Sequence, residues 1–258
     1  MITYVISLPN SPRRVVASES LGRTMLSWCF FDALTSEQRS GLLYDEGRAL
    51  EQWGRPLTES EIGAAASHVA VLRRIAEGEN EWALVLEDDV FLDPSFDFLC
   101  LPELCTDLGL QYLRLYARSI ARAKHVGWIG QRELLRFRRS PMGCQAYIVS
   151  RSGAAGFLNS VKNILRPIDW EMDRYWHNGL ANYALFPFPV IELESVSSVR
   201  KCGEHARERT AAQNVSRFLF RSREYSRRAM ANYRLCVRDR RLRARLRTTF
   251  VSVPAVGK

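Results

Sequence analysis

Three adjacent carboxylates, Glu87, Asp88 and Asp89, are the residues of this 258-residue chain whose types and spacing most directly suggest chemistry. They follow 82–86, a run of five apolar residues, and continuous apolar character is typical of a central strand that is covered on both faces. Ligands of open α/β sheets bind at the carboxyl ends of strands. Adjacent carboxylates repel one another unless a cation or hydrogen-bond donors hold them, and Mg²⁺ prefers such oxygen ligands. The triplet therefore predicts a divalent-metal site, with a solvated acidic turn as the simpler alternative.

Ser67 and His68 form a second candidate binding group. They follow the small residues of 63–66, which permit close approach of the backbone either to a ligand or to the sheet. Glu61 and His68 are seven positions apart and so lie on one helical face. This spacing alone favours a histidine that is satisfied in the core or at the surface over one that binds a ligand.

Asp32, Ser7 and Arg13 are candidates for contacting a nucleotide. Asp32 ends a short apolar run, and Ser7 and Arg13 stand at the end of the first predicted strand and just after it. Arg13, like the neighbouring Arg14, could equally be a surface charge that supports a helix, and the residue types leave both alternatives open.

The elements that would position these residues alternate between strands and helices. Thr58 and Glu61 form a capping-box pattern before apolar residues at helical spacing, which predicts a helix that ends near Gly78. Apolar or β-branched runs predict strands at 3–8, 28–31, 82–86, 112–116, 146–150, 183–186 and 190–191. This alternation predicts an α/β fold, with a mostly parallel sheet flanked by helices. We expect one domain over residues 1–200 and an extension over 201–258.

The composition, with 47% hydrophobic and 25% charged residues, is that of a soluble globular protein. It excludes a disordered or collagen-like chain, and no apolar run approaches the roughly 18–20 residues that span a bilayer. The six cysteines form no CxxC pair, and the N-terminus has no basic segment before its short apolar stretch, unlike a secretory signal. We therefore expect reduced thiols and a cytoplasmic location.

The net charge of +9 is concentrated near the C-terminus. The segment 217–247 holds twelve arginines against two acids, a charge of +10, so the rest of the chain is close to neutral. Apolar residues recur at helical spacing from 215 to 237. This pattern is typical of a basic amphipathic helix, a type that lies on anionic membranes. A helix packed on the domain with a solvated basic face is the alternative.

Five stretches resemble glycosyltransferase family 25, the bacterial lipooligosaccharide galactosyltransferases and their relatives among the collagen galactosyltransferases. In the family's order they are Val5–Leu8 with Arg13-Arg14, Phe31–Ala33, Leu57–Gly63 through Ser67-His68, Ala83–Val90, and Gly143–Ser150 followed by Pro167–Asp169. Ala64 departs from the family, which usually has Cys there, and the segment 45–56 is only loosely similar. The resemblance covers most of residues 2–200 and does not include the tail.

The resemblance implies a GT-A-like fold, a UDP-sugar donor and an inverting transfer. It implies that the acidic triplet is the family's DxD-like element, which binds Mn²⁺ or Mg²⁺ and the donor ribose. Asp89 is then the first choice for direct metal contact, with Asp88 completing the metal shell or contacting the donor together with Glu87. The match to a Ser-His pair also assigns Ser67 and His68 to donor or acceptor binding.

An inverting transfer needs a base that removes the proton of the acceptor hydroxyl. The segment 167–173 offers Asp169, Glu171 and Asp173. Asp169 matches the family's acid after an apolar pair and is the predicted base, although an aspartate at this position could also cap a helix. Glu192 is a weaker alternative.

The acidic triplet and the family resemblance together predict a metal-dependent hexosyltransferase. The resemblance implies that the transferred hexose is galactose and that the acceptor is a lipooligosaccharide or lipopolysaccharide. The enzyme would be cytoplasmic and peripheral on the inner face of the cytoplasmic membrane, with residues 215–247 on the anionic surface and no specific nucleic-acid partner. Two alternatives belong to other classes: a nucleic-acid- or polyanion-binding protein that acts through the arginine-rich tail, and an inactive scaffold with a glycosyltransferase-like fold.

Overall fold

A mixed sheet of eight strands forms the centre of the molecule in a computed structural model that describes residues 1–39, 41–193 and 211–249. The strands of this sheet are β1 (Ile2–Ser7), β2 (Trp28–Asp32), β4 (Trp82–Glu87), β6 (Tyr112–Arg114), β7 (Ala123–Ile129), β8 (Arg132–Phe137), β9 (Ala146–Ser150) and β11 (Tyr183–Phe186). Two small two-stranded sheets join β3 (Leu43–Tyr44) to β10 (Asn163–Ile164) and β5 (Val90–Leu92) to β12 (Val190–Glu192).

The strand order is β2-β1-β4-β9-β6-β11-β8-β7. The pairings β1–β2, β1–β4 and β6–β11 are parallel and the other four are antiparallel. Only β9 and β8 run against the remaining strands of this sheet, which confirms the predicted α/β class with a mixed, mostly parallel sheet. The carboxyl ends of β1, β2 and β4 therefore meet at one edge.

The helices lie on both faces of the sheet. They are α1 (Arg13–Gly22), α2 (Glu46–Gln52), α3 (Glu59–Glu77), α4 (Leu101–Asp107), α5 (Arg151–Ser160), α6 (Ile168–Met172), α7 (Tyr175–Asn178) and α8 (Ala211–Thr249). The strand β4 shows the two layers directly, because Leu84 and Leu86 join one apolar core while Ala83 and Val85 join the other. This burial on both faces explains the continuous apolar run of β4.

The helix α3 begins at the predicted capping box. The Thr58 hydroxyl accepts a hydrogen bond from the backbone N–H of Glu61, and the Glu61 carboxylate accepts one from the N–H of Thr58. Gly78 is the C-terminal cap, as the sequence predicted. The capping residues fix where the helix starts, so that its buried face lies against the sheet.

The hairpin β7–β8 was not predicted from the sequence. Its strands carry charged residues such as Lys124 and Arg132 among apolar ones, because the pair forms the edge of the sheet. Gly130 makes the turn with a left-handed φ of 57°, a conformation that favours glycine. The hairpin matters here because it provides the surface on which α8 packs.

The helix α8 confirms the predicted helix in the basic segment and packs against α2, α7 and β7. Its docked side buries Leu242 and Leu246 together with the polar residues Asn232 and Asp239. Several of its arginines donate to backbone carbonyls of the body; Arg243, for example, donates to His125. The predicted boundary at residue 200, Cys202 and the last residues of the tail lie outside the described residues.

The opposite side of α8 is apolar and exposed. Val215, Phe218, Leu219, Tyr225, Met230, Tyr233 and Val237 are each at least 46% exposed, and two of them, Phe218 and Tyr225, also line a cavity between α8 and the body. The apolar pattern that predicted the helix therefore marks its outward face rather than the face that packs on the sheet. Among the described helices, none is both long and apolar enough to cross a membrane.

Candidate active site

The ends of β1, β2 and β4 bring Ser7, Asp32 and the acidic triplet to the same edge of the sheet. The Asp88 carboxylate accepts hydrogen bonds from the hydroxyls of Ser7 at 2.6 Å and Ser11 at 3.0 Å. Arg13 Nη1 lies 3.4 Å from Asp88 and 3.3 Å from Asp89. The connection between β1 and α1 therefore holds Asp88 in place and supplies one positive charge to the triplet.

Asp89 lies among other acids in a largely buried position. Burial, followed by repulsion from Glu87, raises the pKa of Asp89 to about 6, and the nearby Arg13 charge only partly opposes this. An acid with such a raised pKa is stabilised in its ionised form by an added cation. The electrostatics at Asp89 therefore suit a bound metal ion.

His68 and Cys144 flank Glu87 behind the triplet. His68 Nε2 lies 3.4 Å from both Glu87 Oε1 and Cys144 Sγ, and the thiol lies 3.5 Å from Glu87 Oε1. Burial alone would raise the pKa of Glu87, but the hydrogen bond and charge of His68 outweigh it and lower that pKa. Burial, with the Glu87 charge, raises the pKa of Cys144 well above its usual value, so its thiol stays protonated and is a poor nucleophile.

The ring of His68 is held from its other side by Tyr147. The Tyr147 hydroxyl lies 3.1 Å from His68 Nδ1, and both side chains are fully buried. A hydroxyl can donate or accept, so it suits either tautomer of the histidine. His68, Glu87 and Cys144 also form a group whose ligand atoms all lie within 4.8 Å of one another, close enough to hold a metal ion.

Ser67 and Asp32 bond to groups outside the acidic triplet. The Ser67 hydroxyl accepts from the N–H of Leu34 and donates to the carbonyl of Gly63, each at 2.8 Å. A Cβ on Gly63 would come within 2.8 Å of the Leu34 carbonyl. The small residues of α3 therefore allow close approach of the chain that follows β2. Asp32, whose side chain is exposed, pairs with Arg14.

A cavity of about 280 Å³ opens beside the triplet. Of the residues predicted from the sequence, Arg13, Glu87, Asp89, Asp169 and Glu192 line it. Ser7, Asp32, Ser67, His68 and Asp88 are not part of its lining. Asp88 and His68 instead bond to residues that line it. The cavity concentrates acids near Asp89, and Trp53 and Trp170 also line it.

Asp169 is both a cavity residue and a support for a neighbouring turn. One of its carboxylate oxygens accepts from the N–H of Trp170 at 2.8 Å and the other from the N–H of Gly143 at 3.2 Å. Gly143 has a φ of 80°, and a Cβ there would come within 2.8 Å of the Tyr116 ring, so only glycine fits this turn. The N-cap of α6 is Pro167, so Asp169 lies inside the first turn of the helix and the alternative that Asp169 caps it is wrong.

The neighbouring acids of the segment 167–173 are used in ion pairs. Asp173 is buried against Arg114 and accepts from the N–H of Met142, and Glu171 pairs with Arg166 and Arg174. Neither lines the cavity beside the triplet. This leaves Asp169 as the acid of that segment that faces the candidate site.

Glu192 reaches the site through a pairing that the sequence does not reveal. It ends β12, which pairs with β5 directly after the triplet, and the N–H of Leu193 donates to the carbonyl of Asp89 at 2.7 Å. The Glu192 carboxylate accepts from Tyr116 at 2.5 Å and from Arg118 at 3.2 Å. Glu192 had been only a weak candidate, and Arg118 and Tyr116 were missed because no local motif marks them.

Comparison with known proteins relates this chain to a family of glycosyltransferases. The model of glycosyltransferase family 25 (LPS biosynthesis protein) matches residues 1–172. A protein of Haemophilus influenzae named "Putative glycosyltransferase" is 27% identical over 173 residues, which are 66% of this chain and 60% of that protein. The match thus spans less than two thirds of the relative's length.

Two solved structures resemble this chain at lower sequence identity. The crystal structure of A197 from STIV has a TM-score of 0.40 at 10% identity, covering 79% of this chain and 98% of that one. The galactosyltransferase LgtC in complex with donor and acceptor sugar analogues has a TM-score of 0.34 at 14% identity, covering 70% and 71%.

The fold and the acid-lined cavity define an α/β protein with its candidate site at the carboxyl ends of the strands. The family match extends over most of the sheet and all of the acidic triplet, and the chain belongs to glycosyltransferase family 25. The resemblance inferred from the five sequence stretches is confirmed.

Proposed function

We propose that this protein is an inverting glycosyltransferase that transfers a hexose, with galactose as the first choice, from a UDP-sugar to a lipooligosaccharide or lipopolysaccharide acceptor. The observation that carries the proposal is the cavity at the end of β4, which holds Glu87, Asp89 and Asp169 from the family match together with Glu192 from beyond it. Such a cavity combines acids for a metal with an acid for proton transfer.

The donor set fits Mn²⁺ or Mg²⁺. Asp89 would bind the ion directly, because burial and then repulsion from Glu87 raise its pKa, and a cation stabilises the ionised carboxylate against both. Asp88, oriented by Ser7 and Ser11, would complete the shell. When bound, the metal supplies Lewis-acid stabilisation of the diphosphate leaving group. Arg13 adds a positive charge on the same side, and Ser7, Asp32, Ser67, His68 and Glu87 would shape or support the donor site.

The direct test is a screen of UDP-sugars with the full chain, measuring UDP release with and without Mn²⁺. We expect metal-dependent hydrolysis of one UDP-hexose, and faster UDP release when a suitable acceptor is added. Absence of UDP release from every donor, in a protein that melts cooperatively, would contradict the proposal and favour an inactive scaffold.

Asp169 is the proposed base for the acceptor hydroxyl. Asp169→Asn keeps the size of the side chain and can keep one of its two accepted hydrogen bonds, because the amide has a single acceptor oxygen. It removes the proton acceptor, so turnover should fall by roughly 10²-fold or more. Affinity for the UDP-sugar, measured by calorimetry, should stay close to that of the wild type. Asp107→Asn, at an exposed position on α4, is the control for loss of a carboxylate. Lost donor binding in Asp169→Asn would instead assign Asp169 to the donor site.

The exposed side of α8 supports a further part of the proposal, which is association with an anionic membrane surface. Leu219, Met230 and Tyr233 project from it, and arginines including Arg223 and Arg227 lie beside them on exposed positions. Insertion of apolar side chains together with basic charge is the combination that binds amphipathic helices to anionic lipid. An acceptor carried by a lipid would be reached from that surface.

Replacing Leu219, Met230 and Tyr233 together by Ser should reduce co-sedimentation with anionic vesicles. The apolar side chains that would insert into the lipid are lost, whereas all arginines remain. These side chains are 58–78% exposed, so the melting temperature should not change. The matched control replaces Met25, Leu43 and Ile120, which are exposed apolar residues outside α8. Equal co-sedimentation of the two triple variants would contradict apolar insertion of α8 and would assign any membrane binding to its charge alone.

A further inference from the structure

A second and larger cavity lies beside the candidate active site. It has a volume of about 680 Å³ and lies between α8 on one side and α2 and α6 on the other. Trp53 and Trp170 line both cavities, and their rings meet edge to face with centroids 4.9 Å apart. The two rings therefore belong to the wall that the groove shares with the active-site cavity.

The groove is lined by an unusual number of aromatic rings. They are Trp53, Trp170, Trp176, Phe218, Phe220 and Tyr225. Aromatic faces provide rigid apolar area, against which the C–H faces of a pyranose ring pack. The volume lies within the roughly 300–1,000 Å³ of sites for small ligands. The shape and lining thus suit a short saccharide.

The charge of the groove is positive. Five arginines line it, at positions 166, 174, 217, 221 and 228, against the acids Asp173 and Glu224. Both acids are used within the protein, because Asp173 pairs with Arg114 and Glu224 with Arg174. The groove therefore keeps a surplus of positive charge.

Arg221 and Arg228 carry that surplus. Within the part of the chain that the structure describes, neither is ion-paired with a carboxylate. The guanidinium of Arg228 lies 5.6 Å from the Trp176 ring and 5.7 Å from the Tyr225 ring. These aromatic contacts hold the cation at the groove wall and leave its N–H donors available for an anion.

We propose that this groove is the acceptor subsite and that it takes an anionic saccharide bearing a phosphate or a carboxylate. Its sugar rings pack on the aromatic wall, its anionic group binds Arg221 and Arg228, and its hydroxyl end passes Trp53 and Trp170 into the active-site cavity. The assignment rests on the proposed transferase function, since it names the class of acceptor.

The test uses a glucosamine disaccharide with one phosphate monoester, the same disaccharide without phosphate, and inorganic phosphate. Binding to the full chain is followed by tryptophan fluorescence, because Trp53, Trp170 and Trp176 line the groove. The phosphorylated disaccharide should bind about 10- to 100-fold more tightly than the neutral one, as charge-assisted hydrogen bonds would produce. Replacing Arg221 and Arg228 by Gln should remove that preference. The control pair, Arg240→Gln with Arg241→Gln, changes two exposed arginines of the same helix away from the groove.

Equal binding of the two disaccharides, equal losses in the two arginine pairs, or inorganic phosphate binding as tightly as the phosphorylated disaccharide would each overturn the subsite. These outcomes are separate from those of the UDP-sugar screen. Donor hydrolysis without disaccharide selectivity would refute the subsite alone, whereas selectivity without hydrolysis would refute the transferase.

Discussion

Asp89→Asn is expected to lower hexose transfer by roughly 10²- to 10³-fold, the range seen when one group that stabilises transition-state charge is removed. Asparagine keeps the size of the side chain and removes its charge. Burial, followed by repulsion from Glu87, raises the pKa of Asp89 to about 6. A metal ion bound at this carboxylate would lose the negative charge that attracts it in the variant. The measurement is turnover at saturating UDP-sugar across a Mn²⁺ titration.

The folded state should tolerate this substitution. A raised pKa means that ionised Asp89 destabilises the metal-free fold, increasingly as the pH rises from the unfolded value near 4 through 6. Asp89→Asn should therefore melt no lower than the wild type at pH 7.5 in a chelating buffer. Asp107→Asn, at an exposed position on α4, is the matched control. Normal turnover of Asp89→Asn at saturating Mn²⁺ would exclude Asp89 as a metal ligand.

The position of the acidic triplet was predictable because it depends on local pattern. The apolar run of β4 required burial on both faces, so the acids had to stand at its end. The start of α3 was equally local, since Thr58 and Glu61 satisfy each other within one turn. Such features follow from residues that are near in sequence.

The other parts of the site depend on contacts between distant residues. Glu192 comes to Asp89 only because β12 pairs with β5. Cys144 meets His68 because β9 runs antiparallel beside β4. No periodicity or spacing in the sequence encodes these pairings, so the residues that line the cavity could not be predicted without the order of the strands.

The side of α8 that packs on the body could not be predicted from the sequence either. Its apolar spacing correctly predicted a helix, but hydrophobicity alone would choose the wrong side for packing. The docked side instead presents Glu224 to Arg174 and Asp239 to Arg136. A buried arginine in a sheet strand requires a carboxylate partner, and the sequence gives no sign that Arg136 is buried.

Asp239→Asn should therefore be among the most destabilising single changes in the chain. Arg136 and Asp239 are at most 1% exposed, and Arg136 Nε lies 2.9 Å from Asp239 Oδ1. Removing one partner of a buried pair costs about 3–5 kcal/mol, since the other charge stays buried. For a chain of this size that corresponds to a melting temperature lower by roughly 10–15 °C. Asp107→Asn again serves as the control.

The Arg136–Asp239 pair also predicts that part of the stability of the folded state is lost at low pH. Burial would raise the pKa of Asp239, but the hydrogen bonds and charge of Arg136 outweigh it and lower that pKa. Its stabilising contribution is therefore present above the unfolded value near 4 and is lost as the pH falls through the lower folded value. Asp239→Asn should flatten the fall in melting temperature below pH 4, because this carboxylate no longer titrates.

Replacing both partners distinguishes a buried charge from a general loss of packing. Arg136→Met combined with Asp239→Leu removes both fully buried charges, so it should melt above Asp239→Asn. The partly exposed Lys124, which also pairs with Asp239, loses its carboxylate, and Tyr183 and Asn232 lose their partners. A double variant as unstable as the single one would assign the effect to those hydroxyl and amide contacts. Because the acceptor groove has α8 as one wall, partial undocking in Asp239→Asn should also weaken binding of the phosphorylated disaccharide, and the double variant should recover it.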